Sequence, residues 1–66
     1  MELYRNKSTK SVVEAYQTEE QIDVETVDGL KTAFPGDYIL TGVYGEQYVY
    51  SNEQFNLDYV KEVADE

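Results

Sequence analysis

The sequence predicts a small α+β domain: a curled antiparallel sheet of four to five strands with one C-terminal helix. An SH3-like small barrel is the alternative. Three observations lead there. Residues 22–34 alternate apolar and polar side chains around Asp28-Gly29, a hairpin dipeptide. Residues 35–50 (PGDYILTGVYGEQYVY) hold four of the seven tyrosines and three of the four glycines, so β formers lie between turn formers. Ser51 then precedes Gln54 at capping-box spacing, ahead of apolar residues at helical intervals. A chain of 66 residues makes one domain, near the lower limit at which a core holds without staples. Its expected parts are a lead-in at 1–10, sheet at 11–50 and helix at 51–64.

In chain order, residues 1–10 place polar and basic side chains around Leu3 and Tyr4 with no period, a lead-in that is partly strand. Residues 11–17 (SVVEAYQ) are β-branched and aromatic, which suits a strand. Glu14 shares a face there with Val12 and Tyr16, and a charge on such a face predicts an edge position, with a specific contact as the alternative. After the polar break at 18–21, Ile22 and Val24 share one face and Asp23 and Glu25 the other. A two-residue type I′ turn at Asp28-Gly29 would set Val27 opposite Leu30 and Glu25 opposite Thr32. Pro35-Gly36 fits the centre of a type II turn, with proline presetting φ and glycine accepting the positive value. Gly42, inside the next strand, predicts a bulge, a sharp bend or the close approach of another backbone. Beyond Ser51, the stripe Phe55, Tyr59, Val60 and Val63 predicts a helix packed on the sheet, preceded by a Tyr50–Phe55 staple. Asp65 and Glu66 oppose the helix dipole and predict a frayed last turn.

The text of 35–50 resembles a motif in small uncharacterised phage and prophage proteins. The match runs through Pro35-Gly36-Asp37-Tyr38-Ile39, Thr41-Gly42-Val43, Gly45-Glu46 and Tyr48. Those proteins read PGDY or PGDW, a short apolar strand, G-V-x-G-E and a tyrosine, followed by a helix with a phenylalanine and a tyrosine four apart. Phe55 and Tyr59 match that pair, and Val12-Val13-Glu14-Ala15 matches a V-V-E-A run in their amino-terminal half. Where they continue Y-P-x-K-P, this chain has Tyr48-Val49-Tyr50-Ser51-Asn52, without the proline or the lysine. The resemblance implies a phage origin and a fold; it implies no activity.

Chemistry is sparse. With no cysteine and no histidine, the chain lacks thiolate ligands, the commonest metal ligand and the usual general base. No glycine spacing matches a phosphate-binding loop, and the acids of 23–28 do not follow a calcium-loop register. The expectation is a protein that is not an enzyme and has no cofactor or metal. The amino terminus has no apolar core of a signal peptide and no run nears the ~20 residues of a membrane span, so the expected location is cytoplasmic, in an infected bacterial host.

Charge is the strongest signal. Fourteen acids face five bases, a formal net charge of -9, and three of the bases lie in the first ten residues. Such a surface repels nucleic acid and anionic membranes and attracts basic grooves. The reading is therefore an acidic inhibitor that imitates DNA, its carboxylates standing in for phosphates on a host nucleic-acid-binding enzyme. Uracil-DNA glycosylase is the leading target, followed by restriction or CRISPR effectors. Inhibitors of that glycosylase resemble this chain in size, acidity and sheet-plus-helix content, without a shared motif. The candidate contacts are Glu19, Glu20, Asp23, Glu25 and Asp28, with Tyr44, Tyr48 and Tyr50 as aromatic anchors. Glu46 reads as a turn residue. The alternative reading is a non-enzymatic phage accessory or structural protein acting through a sheet edge or as a homodimer.

Overall fold

Most segments that alternate or carry β-branched and aromatic residues become strands in the computed structural model, which describes residues 2–62. The elements are β1 (Glu2–Asn6), β2 (Val12–Gln17), β3 (Ile22–Thr26), β4 (Gly29–Ala33), β5 (Tyr38–Thr41), β6 (Gln47–Tyr50), α1 (Asn52–Asp58) and β7 (Tyr59–Lys61). They form an open five-stranded sheet in the order β6-β5-β2-β1-β7 and a separate hairpin, β3-β4. All pairings are antiparallel. The fold is the small α+β arrangement expected, and neither sheet closes into a barrel.

β5 explains the layering. Leu40 faces α1 and meets Ala15 and Phe55, while Ile39 points to the other side and meets Val24 and Ala33 of the hairpin. One four-residue strand thus serves two cores, because successive side chains on a strand point to opposite faces. On the helix side, Phe55 is 1% exposed and lies between two tyrosine rings. Tyr38 stacks on it at 3.9 Å and 8°, and Tyr59 at 5.0 Å and 12°. Tyr4 meets it edge-on at 4.8 Å, and Tyr50 at 6.4 Å. With six buried apolar side chains in all among the described residues, this aromatic stack is the densest part of a thin core.

One end of the chain departs from expectation. The lead-in is partly strand, as read from the sequence: β1 pairs with β2 from Glu2–Ala15 to Arg5–Val12. The helix, expected over 51–64, stops at Asp58, and Tyr59 adopts extended φ −131° and ψ 148°. Residues 59–61 then pair with Tyr4, Arg5 and Asn6 as β7. Tyr59 and Val60 fit a helical stripe and a strand equally well, and a seven-residue helix with Asn56 and Asp58 in its last turn has little intrinsic hold. Pairing along β1 satisfies backbone groups that would otherwise be a bare edge, and that decides the outcome. The expectations for Val63, Asp65 and Glu66 lie outside the described residues.

Three smaller features follow from local chemistry. Ser51 caps α1 by accepting the Gln54 N–H on Oγ at 3.1 Å, as its spacing predicts. Gly36 has φ 98° and the Asp37 N–H donates to the Phe34 carbonyl at 2.9 Å, closing the expected Pro-Gly turn. The hairpin turn is one residue earlier than expected. Thr26 faces Gly29 and Glu25 faces Leu30, so the turn centres on Val27 and Asp28. Only Gly29 there has positive φ, at 111°. A type I′ turn would need Asp28 positive as well, whereas the observed turn leaves that to glycine alone. The Thr26 hydroxyl fastens it, donating to the Gly29 carbonyl at 2.7 Å and accepting the Asp28 N–H at 3.1 Å.

Candidate protein-binding surface

The hairpin packs its Ile22, Val24 and Ala33 face against Ile39 and Val49, which turns Asp23 and Glu25 outward. Glu19 and Glu20 occupy the bend that leads into it. That bend is held firmly. Buried Thr18 donates its hydroxyl to the Glu20 carbonyl at 2.9 Å, and its backbone exchanges hydrogen bonds with the Pro35-Gly36 turn through Asp37 and Gly36. Asp28 lies at the hairpin tip, which reaches the edge of β6. A shallow cleft there is lined by Thr26, Asp28, Lys31, Tyr48, Val49 and Tyr50.

All five expected acids are exposed. Among the described residues none of them forms an ion pair, and of their carboxylates only that of Asp23 is bound by a side chain, accepting the Thr32 hydroxyl at 3.2 Å. The ion pairs lie at the other end of the sheet. Arg5 clamps Glu62 through two bonds of 2.8 Å, and Lys61 meets Glu2 at 3.2 Å. These contacts hold both carboxylates below the ordinary value of 4.5, chiefly through the Arg5 hydrogen bonds for Glu62 and the Lys61 hydrogen bond for Glu2. The basic residues of β1, the β1–β2 loop and β7 are therefore partly consumed at home, while the hairpin acids stay available.

Two apolar side chains stand among those acids. Leu30, opposite Glu25, is 71% exposed, and Val27 at the tip is 67% exposed. Sequence reasoning placed them as a facing pair and missed their exposure. The signal was present in the alternation, which sets Leu30 on the same face as Asp23 and Glu25.

The tyrosines divide. Tyr44 is 92% exposed at the tip of the β5–β6 loop. Tyr48 and Tyr50 are half-buried instead of exposed, since both face α1, and Tyr50 meets Tyr59 edge-on at 5.9 Å. Burial raises both phenols above the usual value, with Glu46 adding to Tyr48 and Tyr59 adding to Tyr50. The structure thus brings Asp28, Tyr48 and Tyr50 together at the β6 edge, leaves Glu19, Glu20, Asp23 and Glu25 on the hairpin arm, and sets Tyr44 apart.

Gly42 and Glu46, both in the family-like motif, form one unit. The Gly42 N–H donates to the Glu46 carbonyl at 2.8 Å, and the Glu46 carboxylate folds back to accept the Tyr44 N–H at 2.9 Å. A Cβ on residue 42 would overlap that carboxylate; Gly42 lies just past the end of β5 instead of inside the strand, and what approaches it is a side chain, not the backbone expected. Glu14, expected at an edge, sits in β2 at the centre of the sheet, on the part of its face the hairpin leaves uncovered. Among the described residues, no helix is long and apolar enough to cross a membrane and no group of acids is arranged to hold a metal ion. Compared with family models, curated proteins and solved structures, the chain matches none of them.

Proposed function

We propose that this protein is a non-catalytic, phage-encoded inhibitor that docks its β3–β4 hairpin into the nucleic-acid-binding groove of a host enzyme. The observation that carries the reading is the composition of the hairpin's outer face: unpaired carboxylates surrounding exposed Leu30 and Val27. A merely solvated acidic face has no use for a large aliphatic group at its middle. A protein-binding patch does, because apolar contact supplies affinity while charges at its rim supply steering. Asp23 and Glu25 lie two residues apart on one strand face, about 7 Å, which is half the linear charge density of one DNA strand along its axis. The bend bearing Glu19 and Glu20 leads into the hairpin, and its pinned backbone keeps it in place before binding. Uracil-DNA glycosylase is the first target to test, then restriction and CRISPR effectors; the partner is protein, with no direct binding to nucleic acid or membrane.

The test is capture of partners from host lysate, followed by a uracil-excision assay with the protein added. The expected partner is a basic nucleic-acid enzyme, displaced by DNA and bound with an affinity that falls steeply with salt. Lysine at Glu20, Asp23 and Glu25 together should abolish inhibition; unchanged inhibition by that variant, or a complex indifferent to salt, removes the proposal.

A second reading rests on a different observation. Leu3 and Val60, both near half-exposed, share the uncovered sheet face beside β7, whose outer edge has no partner strand among the described residues. That edge suits an accessory or structural protein that pairs with a second copy. Sedimentation velocity distinguishes it: a dimer that Val60→Lys dissociates favours this reading.

A further inference from the structure

On the face of the five-stranded sheet opposite the hairpin lies a cleft of about 420 Å³ that includes none of the hairpin acids and shares only Tyr48 and Tyr50 with the contacts expected of the inhibitor. Val13 and Leu40 form its apolar floor, and Tyr48, Tyr50 and Tyr59 stand around it with Glu46. No residue of α1 lines it; the helix is too short to cover the part of the sheet next to the β5–β6 turn. The volume is that of an ordinary small-ligand site, which falls at roughly 300–1,000 Å³.

Its lining is chemically one-sided. Among the described residues that line it, Glu46 is the one that carries a charge, and none is basic. The carboxylate is fixed rather than free to swing, because Oε1 accepts the Tyr44 N–H at 2.9 Å and Oε2 lies 3.4 Å from the Tyr48 hydroxyl. Each oxygen keeps acceptor capacity beyond those bonds. Three tyrosine rings beside a held carboxylate favour a cation with an apolar stem, since ring faces and carboxylate both attract positive charge and the floor takes the methylenes.

We infer that the cleft bounded by Glu46, Tyr48, Tyr50 and Tyr59 receives an arginine side chain of a protein partner, guanidinium against Glu46 and stacked on tyrosine. Arginine is chosen over an ammonium because a planar guanidinium stacks on aromatic faces and bonds a carboxylate that already has one side occupied. The net charge of -9 makes basic partners the ones that approach. The site lies across the sheet from the hairpin and stands without the DNA-mimic reading.

The experiment is an amide NMR titration of the intact protein with Nα-acetylarginine amide, with the citrulline analogue as a neutral isostere. Saturable shifts are expected at Gly42, Glu46 and Tyr48, with a dissociation constant on the order of a millimolar for so small a probe. The citrulline analogue should leave them in place, and Glu46→Gln should weaken binding about tenfold. The hairpin variant with lysine at Glu20, Asp23 and Glu25 should bind the probe as the wild type does. Shifts confined to the hairpin acids, equal shifts with citrulline, or equal shifts with tetramethylammonium overturn the inference. The wild-type titration decides this even where Glu46→Gln loosens its turn.

Discussion

Replacing Phe55 by leucine isolates what the aromatic stack contributes. Leucine fills much of the same space and keeps most of the apolar burial, so the loss is chiefly ring geometry and a small void. Phe55 makes two stacked contacts, at 3.9 Å and 5.0 Å, and two edge contacts, at 4.8 Å and 6.4 Å. Such pairs contribute about 0.5–1.5 kcal/mol each beyond burial, and they share one ring, so simple addition overstates the sum. The expected destabilisation is about 2–3 kcal/mol, against a total of about 3–5 kcal/mol for a core of this size. Thermal unfolding followed by circular dichroism should show Tm falling by roughly 10–20 °C. Leu57→Ala is the control, because Leu57 is 65% exposed on the same helix and its loss should move stability by less than about 0.5 kcal/mol. A drop below about 5 °C for Phe55→Leu, or an equal drop for Leu57→Ala, would refute the assignment of the core to this stack.

Three further outcomes are expected. Glu62 has a lowered pKa in the fold, so its contribution is present above the ordinary value of 4.5 and lost as pH falls through the lower folded value. Wild type should therefore melt higher than Glu62→Gln at neutral pH, and the two should converge as the pH falls below the lowered folded value, measured by melting across pH. Gly42→Ala should cost about 0.5–1.5 kcal/mol, because the Glu46 carboxylate is pushed aside and gives up the Tyr44 N–H, and adding Glu46→Ala should remove most of that difference, a coupling read from a double-mutant cycle in urea. Gly29→Ala should cost about 1–2 kcal/mol by denaturant melting; with φ 111° and nothing within 4 Å of the new Cβ, the whole effect is backbone strain.

The sequence by itself determined the features that one short stretch of backbone can decide. Alternation sets Ile22 and Val24 against Asp23 and Glu25, and the structure keeps those faces. Pro35-Gly36 turns where φ preferences require it, Ser51 caps α1, and Glu46 serves its own loop. Only tertiary structure decided where α1 stops, which strands the lead-in pairs with, and which tyrosines are covered. Tyr59 leaves the helix because residues 4–6 offer backbone partners more than fifty positions away, and stacking on Phe55 then holds its ring. No local propensity encodes such a partner. The same distance governs the two candidate surfaces. The hairpin acids are legible because alternation points them outward, while the Glu46 cleft is not, since Val13, Leu40, Tyr48 and Tyr59 meet only when β2, β5, β6 and β7 join one fold around Phe55.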